Sequence, residues 1–244
     1  MRTAVIVMSK VPRPGFTKTR LNSVLSERES AEFHRACLTD TCRSVRRSGM
    51  PGYIYYAEPL NNPQSEEKGS ALDLWELPEE ERIHFQMHPQ QGEDLGERLY
   101  NAALEILTKY EAVLILGSDM PEITPDIILE AQERLFSSEI VIGPAHDGGY
   151  YLLGVKQAYP NIFCNIPWGT PQVLEKTLEI IRQNNLTFSL LQTHADIDNW
   201  DDLVNFFRIG KADENNRYES LAAFQIAVKL VEKYREGVRG WINT

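Results

Sequence analysis

The sequence predicts an α/β protein organised as one large domain, and three observations carry that expectation. Short apolar runs of strand length, such as residues 112–116 (AVLIL), lack polar alternation, which suits a parallel strand covered on both faces. Between such runs lie stretches with helical spacing of apolar residues and recognisable start signals. The chain has 244 residues, 42% of them hydrophobic and 25% charged, ordinary values for a globular domain of this size.

Residues 3–8 (TAVIVM) read as a first, buried strand. Residues 9–21 (SKVPRPGFTKTRL) follow as a loop, because Pro12, Pro14 and Gly15 interrupt helix and strand alike. Lys10, Arg13, Lys18 and Arg20 place four cations around Gly15, where backbone can come close to a ligand. From Thr17 the chain runs into a helical pattern whose first amides can also face an anion. The loop therefore reads as a phosphate site, with a solvated basic loop as the alternative. It is neither a Walker A loop nor a Rossmann G-x-G-x-x-G. Residues 27–47 form a long helix, with Phe33, Cys37, Thr41 and Val45 recurring every four positions. Residues 52–57 (GYIYYA) are the second strand, 58–70 a polar and mobile loop, and 83–87 a short strand between His84 and His88. Asp94 with Glu97 at N3 caps a helix reaching about Tyr110. That block is either a well-started helix or, with Gly92 and Gly96, the wall of a ligand pocket.

The rest is arranged around residues 111–121 (EAVLILGSDMP). The strand stops at Gly117-Ser118-Asp119, and Pro121 forbids its continuation. Asp119 thus stands just past the carboxyl end of a central strand, where open α/β sheets bind ligands; a turn-forming or capping aspartate is the alternative. Thr124 and Pro125 open a helix to residue 136. A strand at 140–142 then delivers GPAHDGGYYLLG, in which Asp147-Gly148-Gly149 is a hairpin signal or an acceptor subsite bounded by backbone. In the loop 166–171 (IPWGTP), Trp168 either packs or stacks on a ligand, and Thr170 caps a helix over 172–183. A last strand at 187–191 leads to Asp196 and Asp198, a second acidic cluster, with Asp198 or Asn199 capping the next helix. Residues 211–216 read as a linker and 218–234 as an amphipathic helix, which divides the chain into 1–210 and a C-terminal segment, 211–244, packed on it.

A formal charge of −10 argues against a nucleic-acid binder. No stretch approaches the roughly 20 apolar residues that cross a bilayer. The apolar run at 5–8 is followed by Lys10, Pro12 and Pro14 rather than a cleavage site for a signal peptide. Cys37, Cys42 and Cys164 show no C-x-x-C spacing, so neither a disulfide framework nor a zinc site is implied. A cytoplasmic protein is expected, without nucleic-acid or membrane partners, and no long heptad pattern suggests a coiled coil. No acidic residue precedes Glu27, so a basic segment on an acidic chain points to a small anionic ligand.

Four motifs, Lys10-x-Pro12-x-Pro14-Gly15-x-x-Lys18-Thr19-Arg20-Leu21, Gly117-Ser118-Asp119-Met120-Pro121, Gly143-Pro144-x-x-Asp147-Gly148-Gly149-Tyr150 and Asp196-Ile197-Asp198, occur in this order at strand ends. Together they resemble the nucleotide-diphospho-sugar transferase (GT-A) superfamily. They look most like a family of small bacterial GT-A-like proteins known as radical-SAM- and selenium-associated glycosyltransferases, and are also similar to the 2-phospholactate and molybdenum-cofactor guanylyltransferases. The resemblance implies a three-layer α/β/α fold with a mostly parallel twisted sheet. It implies that Lys10, Arg13, Gly15, Lys18, Thr19, Arg20 and Ser118 grip the nucleotide phosphates, and that Asp119 with Asp198 (or Asp196) holds Mg²⁺ or Mn²⁺. Lys18, Arg20, Asp119 and Asp147 would be catalytic; Asp94, Gly148, Gly149, Tyr150 and Trp168 would surround the acceptor or sugar. The single aspartate of Ser118-Asp119-Met120, where glycosyltransferases present Asp-x-Asp, looks more like the nucleotidyltransferase branch. The expected activity is nucleotidyl transfer from a nucleoside triphosphate to a small phosphorylated acceptor. Glycosyl transfer from a nucleotide-sugar, or a non-catalytic nucleotide-binding module, are the alternatives.

Overall fold

The computed structural model describes residues 1–58 and 75–234. Strand β1 (Thr3–Lys10) runs two residues past its apolar core, because Ser9 and Lys10 still pair with Tyr56 and Ala57 of β2 (Gly52–Ala57). Between them, α1 (Glu27–Ser48) opens on a capping box: the Ser26 hydroxyl accepts from the Glu29 N–H and the Glu29 carboxylate from the Ser26 N–H. Gly49, at φ 76°, closes it. Helix α2 (Glu79–His84), β3 (Phe85–Pro89), α3 (Leu95–Leu107) and β4 (Ala112–Gly117) follow. Helix α4 (Pro125–Arg134) has the expected Thr124 cap and Pro125 start. Strands β5 (Ile140–Pro144) and β6 (Tyr150–Val155) form a hairpin, and α5 (Val173–Gln183) leads to β7 (Phe188–Leu190). Helices α6 (Trp200–Ala212) and α7 (Ala222–Tyr234) end the described chain.

The seven strands pair in the order β3-β2-β1-β4-β6-β5-β7, and only β6 runs against its neighbours. Alternation along the strands divides the core. Val5, Val7, Leu114 and Leu116 face Leu38 and Val45 of α1 and Ile128 of α4. Ala4, Ile6, Val113 and Ile115 face Leu99 and Ile106 of α3 and Ile181 of α5. The result is the expected three-layer α/β/α architecture. Each fully buried aliphatic side chain contributes roughly 1.5–3 kcal/mol, more than the ~1 kcal/mol of a helix cap. The strand pattern therefore dominates the fold, and caps set where helices start. A third cluster joins Phe33 of α1 to Leu203 and Phe206 of α6 and Phe224 and Leu230 of α7.

Local details depart from expectation. Ile83 and His84 end a helix instead of opening a strand, which begins at Phe85. Glu79, Glu80 and Glu81 follow Pro78 in the first turn of α2, where carboxylates favour the positive end of a helix. Thr170 does not cap α5; Gln172 precedes its first residue, and the Thr170 hydroxyl only accepts from the Gln172 N–H at 3.4 Å. Asp94 does cap α3, but Glu97 returns to the Glu93 N–H, so the reciprocal half of the box is missing. Of the two expected caps of α6, Asn199 is the one used, but α6 continues through Lys211 and Ala212, where a linker was expected. The polar stretch after Glu58 lies outside the described residues.

One buried carboxylate ties the last helix to the first. Asp40 of α1, 2% exposed, accepts from the Ala222 and Ala223 N–H groups at 2.9 and 2.8 Å, satisfying the free amides that start α7. Asp40→Ala should lower stability by about 1–3 kcal/mol, since two buried donors lose their acceptor. Burial pushes the Asp40 carboxyl up to about 6, against the pull of the two amides and Arg43. Its folded value thus exceeds its unfolded value, so its contribution to stability falls as pH rises from about 4 to about 6. Urea unfolding of wild type and Asp40→Asn at pH 4 to 7 should show their difference changing across that window and level above it; a constant difference would refute the assignment.

Candidate active site

The parallel strands bring their carboxyl ends to one edge of the sheet, and a cleft of about 600 Å³ opens there. A smaller lobe of about 240 Å³ adjoins it beneath the β5–β6 turn. Arg20, Asp119, Tyr150, Tyr151, Trp168 and Asp198 line both.

Lys18 lines the larger lobe beside Asp119 and Asp198, which line both. Its backbone is left-handed, at φ 49° and ψ 38°, a conformation that costs a non-glycine residue about 1–2 kcal/mol. The side chain is 3% exposed, and its Nζ lies 2.6 Å from Asp119 Oδ1 and 3.7 Å from Asp198 Oδ1. The ammonium also donates to the Ile197 carbonyl. Burial opposes the charge on Lys18, but Asp119 overrides it and the pKa is raised. Burial likewise opposes ionisation of Asp119, and the Lys18 ammonium holds that carboxyl well below its usual range. Asp198 is raised by burial in spite of Lys18. Asp196 is pushed up to about 6, by burial first and then by Asp147 and Asp198. Backbone stitches these segments together: the Ile197 N–H donates to the Asp119 carbonyl at 3.1 Å, and the His146 N–H to the His194 carbonyl at 3.0 Å.

His34 of α1 approaches Asp119 from behind. The Lys10 carbonyl can only accept, and it already takes the Ser9 hydroxyl at 3.0 Å, so the proton on His34 Nε2 points to Lys10 O (3.2 Å) and Ser9 Oγ (3.1 Å). His34 Nδ1 is left 3.8 Å from Asp119 Oδ1, buried and without a hydrogen-bond partner. Arg20, 71% exposed, reaches Asp198 Oδ2 at 3.0 Å.

Most residues singled out in the sequence converge here. Lys10, Lys18, Thr19, Arg20, Ser118, Asp119, Tyr150, Trp168 and Asp198 line the larger lobe; Asp147, Gly149 and Asp196 line the smaller. Four lie outside both. The Arg13 carbonyl shapes the loop by accepting from the Phe16 N–H and the Thr17 hydroxyl. Gly15, at φ 73°, is needed by its turn. Asp94 is occupied as the cap of α3. Gly148 packs on the Pro171 carbonyl, where a Cβ would collide. Of the block expected either as a helix start or as the wall of a pocket, Gln90, Leu95, Arg98 and Leu99 line the larger lobe, whereas sequence reading missed His34 and Tyr151 as cleft residues. Arg98, one turn into a capped helix that starts at the cleft, had a local signal; His34, in the middle of a regular amphipathic helix, had none.

Residues 45–170, just over half of the chain, match a family described as an uncharacterized protein conserved in bacteria (DUF2064). The chain belongs to this family. No curated protein matches it. Among solved structures it is similar to a provisionally named nucleotide-diphospho-sugar transferase from Desulfovibrio desulfuricans G20, with 28% identity, 98% of each chain covered and a TM-score of 0.81. The fold is also shared with a cytidylyltransferase from Leptospira borgpetersenii at 12% identity, covering 100% of this chain and 98% of that one with a TM-score of 0.51. Rv0371c from Mycobacterium tuberculosis H37Rv, solved with manganese, matches at 12% identity over 85% of this chain and 99% of its own, with a TM-score of 0.50. The DUF2064 chain thus has the fold of the nucleotide-diphospho-sugar transferase superfamily, as its motifs implied.

The donor set suits a divalent cation of that superfamily. Asp119 and Asp198 already share one cation, the Lys18 ammonium, and Asp196 and Asp147 crowd beside them. Among the described residues, no three His, Cys, Asp or Glu side chains form a ready-made cage. Mg²⁺ needs none, since it is commonly held by one or two carboxylates, waters and substrate phosphates.

The left-handed backbone of Lys18 can be separated from its charge. Lys18→Ala and Lys18→Gly both remove the ammonium, but only glycine relieves the backbone. The glycine variant of this DUF2064 protein should be the more stable by about 1 kcal/mol in urea unfolding; equal stability would mean that Lys18 is not held in that conformation. The depressed Asp119 pKa contributes stability that is present above its unfolded value and lost as pH falls toward the folded one. Both variants should therefore lose less stability than wild type on acidification below about pH 4.

Proposed function

We propose that this chain is a metal-dependent transferase acting on a nucleotide donor. The observation that carries the reading is the Lys18 ammonium, buried between Asp119 and Asp198 at the carboxyl edge of the sheet under a cleft large enough for a nucleotide. Asp119 and Asp198 would hold Mg²⁺ or Mn²⁺, which when bound neutralises phosphate charge and draws electron density from the scissile bond. That Rv0371c is known with manganese is consistent with this choice. Lys10, Thr19, Arg20 and Arg98 bind the donor phosphates in the larger lobe, and Ser118 closes its floor. Lys18 orients Asp119 and contributes positive charge beside the leaving group. Such chemistry depends on positioning and charge neutralisation more than on a covalent catalyst.

The single Asp119 favours nucleotidyl transfer: an acceptor oxygen attacks the α-phosphorus, the bond to the bridging oxygen breaks, and pyrophosphate leaves with its electron pair. Likeness to the Desulfovibrio protein favours a second reading. In it the acceptor attacks the anomeric carbon of a nucleotide-diphospho-sugar, and the nucleoside diphosphate leaves. That reading would also place the chain with the small radical-SAM- and selenium-associated glycosyltransferases. On either reading residues 1–210 would form the transferase unit, and of the segment after it α7 packs on α1 and α6.

Thermal unfolding against nucleoside triphosphates and nucleotide-sugars, with and without Mg²⁺ or Mn²⁺, tests this. A donor at a hundred times its dissociation constant adds about 2.7 kcal/mol, which moves the midpoint by roughly 5–10 °C in a domain of this size. Asp119→Asn, with its circular dichroism unchanged, should lose the metal-dependent part of the shift. Equal metal-dependent shifts in variant and wild type would overturn the metal assignment, and silence across the panel would overturn the donor.

A further inference from the structure

The two lobes carry opposite charge, and the smaller one defines a chemical class of acceptor. In the larger lobe Lys10, Lys18, Arg20 and Arg98 outnumber Asp119 and Asp198. Among the described residues the smaller lobe is lined by Asp119, Asp147, Asp196 and Asp198 and by one cation, Arg20, itself paired to Asp198, while Lys18 reaches Asp119 and Asp198 from the larger lobe. Neutralising Asp119 and Asp198 with a divalent cation still leaves Asp147 and Asp196 there. Asp147 is held toward the lobe by its turn, where its Oδ1 accepts from the Gly149 N–H at 2.8 Å. Apart from Thr170 and backbone glycines, the remaining wall is apolar or aromatic and includes Met120, Tyr150, Tyr151, Trp168 and Val173. Gly96 lets the start of α3 press against Trp168, since a Cβ there would lie 2.6 Å from Trp168 Nε1, so this wall is packed from behind.

We infer that the acceptor bound in the smaller lobe is a small molecule free of phosphate and carboxylate, presenting a hydroxyl or amine nucleophile and an apolar face. The inference rests on the transferase reading for the word acceptor, but not for the charge of the lobe. A phosphorylated acceptor, expected from sequence, would bring its negative charge against Asp147 and Asp196, which have no ion-pair partner among the described residues. Like charges in a partly desolvated pocket repel strongly. An amine or polyol meets hydrogen-bond acceptors and aromatic faces instead.

The lobe can be read without knowing its ligand. Thr170 lines the smaller lobe and not the larger. Cys164 is the exposed cysteine, whereas Cys37 and Cys42 are buried. A bimane label on Thr170→Cys in a Cys164→Ser background, with Mg²⁺ present and ionic strength constant, should be quenched by thallium(I) acetate at least threefold better than by potassium iodide, each relative to neutral acrylamide. Asp147→Asn should shrink that ratio. Iodide quenching equal to or better than thallium quenching overturns the proposal. Matched acceptors then test the class with whichever donor stabilises the protein: glycerol against glycerol 3-phosphate, and ethanolamine against phosphoethanolamine. Release of the nucleoside phosphate or pyrophosphate should be stimulated at least tenfold more by an unphosphorylated member, and stimulation by the phosphorylated one overturns the class. If neither pair reacts, the quenching ratio decides. Loss of donor binding in the thermal panel would sink the transferase reading while leaving the lobe's charge intact, so the two failures are distinguishable.

Discussion

The buried ammonium of Lys18 is the constraint on which the carboxyl edge of this fold depends. An uncompensated charge in that position would cost several kcal/mol, so three acceptors have to be brought to it from distant parts of the chain. Asp119 comes from the end of β4, the Ile197 carbonyl and Asp198 from the segment before α6, and Lys18 itself from the loop after β1. Their convergence accounts for the left-handed backbone at Lys18, whose cost is comparable to one good hydrogen bond to a charged group. It also accounts for the backbone bond from Ile197 to the Asp119 carbonyl, which holds the two acidic segments at a fixed spacing. The strain sits at the point where the chemistry is proposed, which is where strained residues concentrate in enzymes.

An acidic protein with one basic lobe separates the tasks of attraction and discrimination. The net charge of −10 would repel a polyphosphate at a distance, yet the cations of the N-terminal loop and Arg98 reverse the local field inside the cleft, where low-dielectric walls concentrate it. In the adjoining smaller lobe, Asp147 of the β5–β6 turn and Asp196 restore negative charge. A transferase needs such asymmetry. The donor leaves its negative charge on one side, and a site of uniform sign would bind donor and acceptor in each other's place.

The strands and most caps were legible because their causes are local: β2 and β4 are short apolar runs bounded by turn residues, and Asp94, Thr124 and Asn199 are side chains suited to the amides that follow them. The failures were also physical. Residues 83–87 looked extended from their apolar content, but three consecutive glutamates after Pro78 make a better helix start. In the basic loop, sequence proximity suggested that Arg13 and Gly15 act with Lys18. The turn uses the Arg13 carbonyl and Gly15 for its own geometry and turns Lys18 inward, while Arg20 stays exposed and reaches Asp198. Asp119 was readable because a strand end followed by Pro121 marks it. His34 was not, because its proximity to Asp119 exists only once α1 packs over β1 and β4. Asp147 carried its hairpin reading, since Asp-Gly-Gly makes the β5–β6 turn and that turn sets its carboxylate in the lining of the smaller lobe.

Ile197 shows why the C-terminal helices belong to the site's energetics as well as to the fold. Its side chain is 2% exposed in the cluster formed with Leu21, Trp200, Leu203, Phe224 and Leu230, while its carbonyl accepts from Lys18 and its N–H donates to the Asp119 carbonyl. One residue therefore couples an apolar core built from α1, α6 and α7 to the buried ion pair. Leu21, three positions after Lys18, enters the same cluster from the other strand end. The basic loop and the acidic segment are thus both anchored in packing contributed by α7, whose own start is fastened by Asp40. Loosening that helix would not remove a single ligand-facing group, yet it would relax the two anchors that hold Lys18 against Asp119. Positioning within tenths of an ångström is what this chemistry requires, and here it is supplied from the far side of the domain.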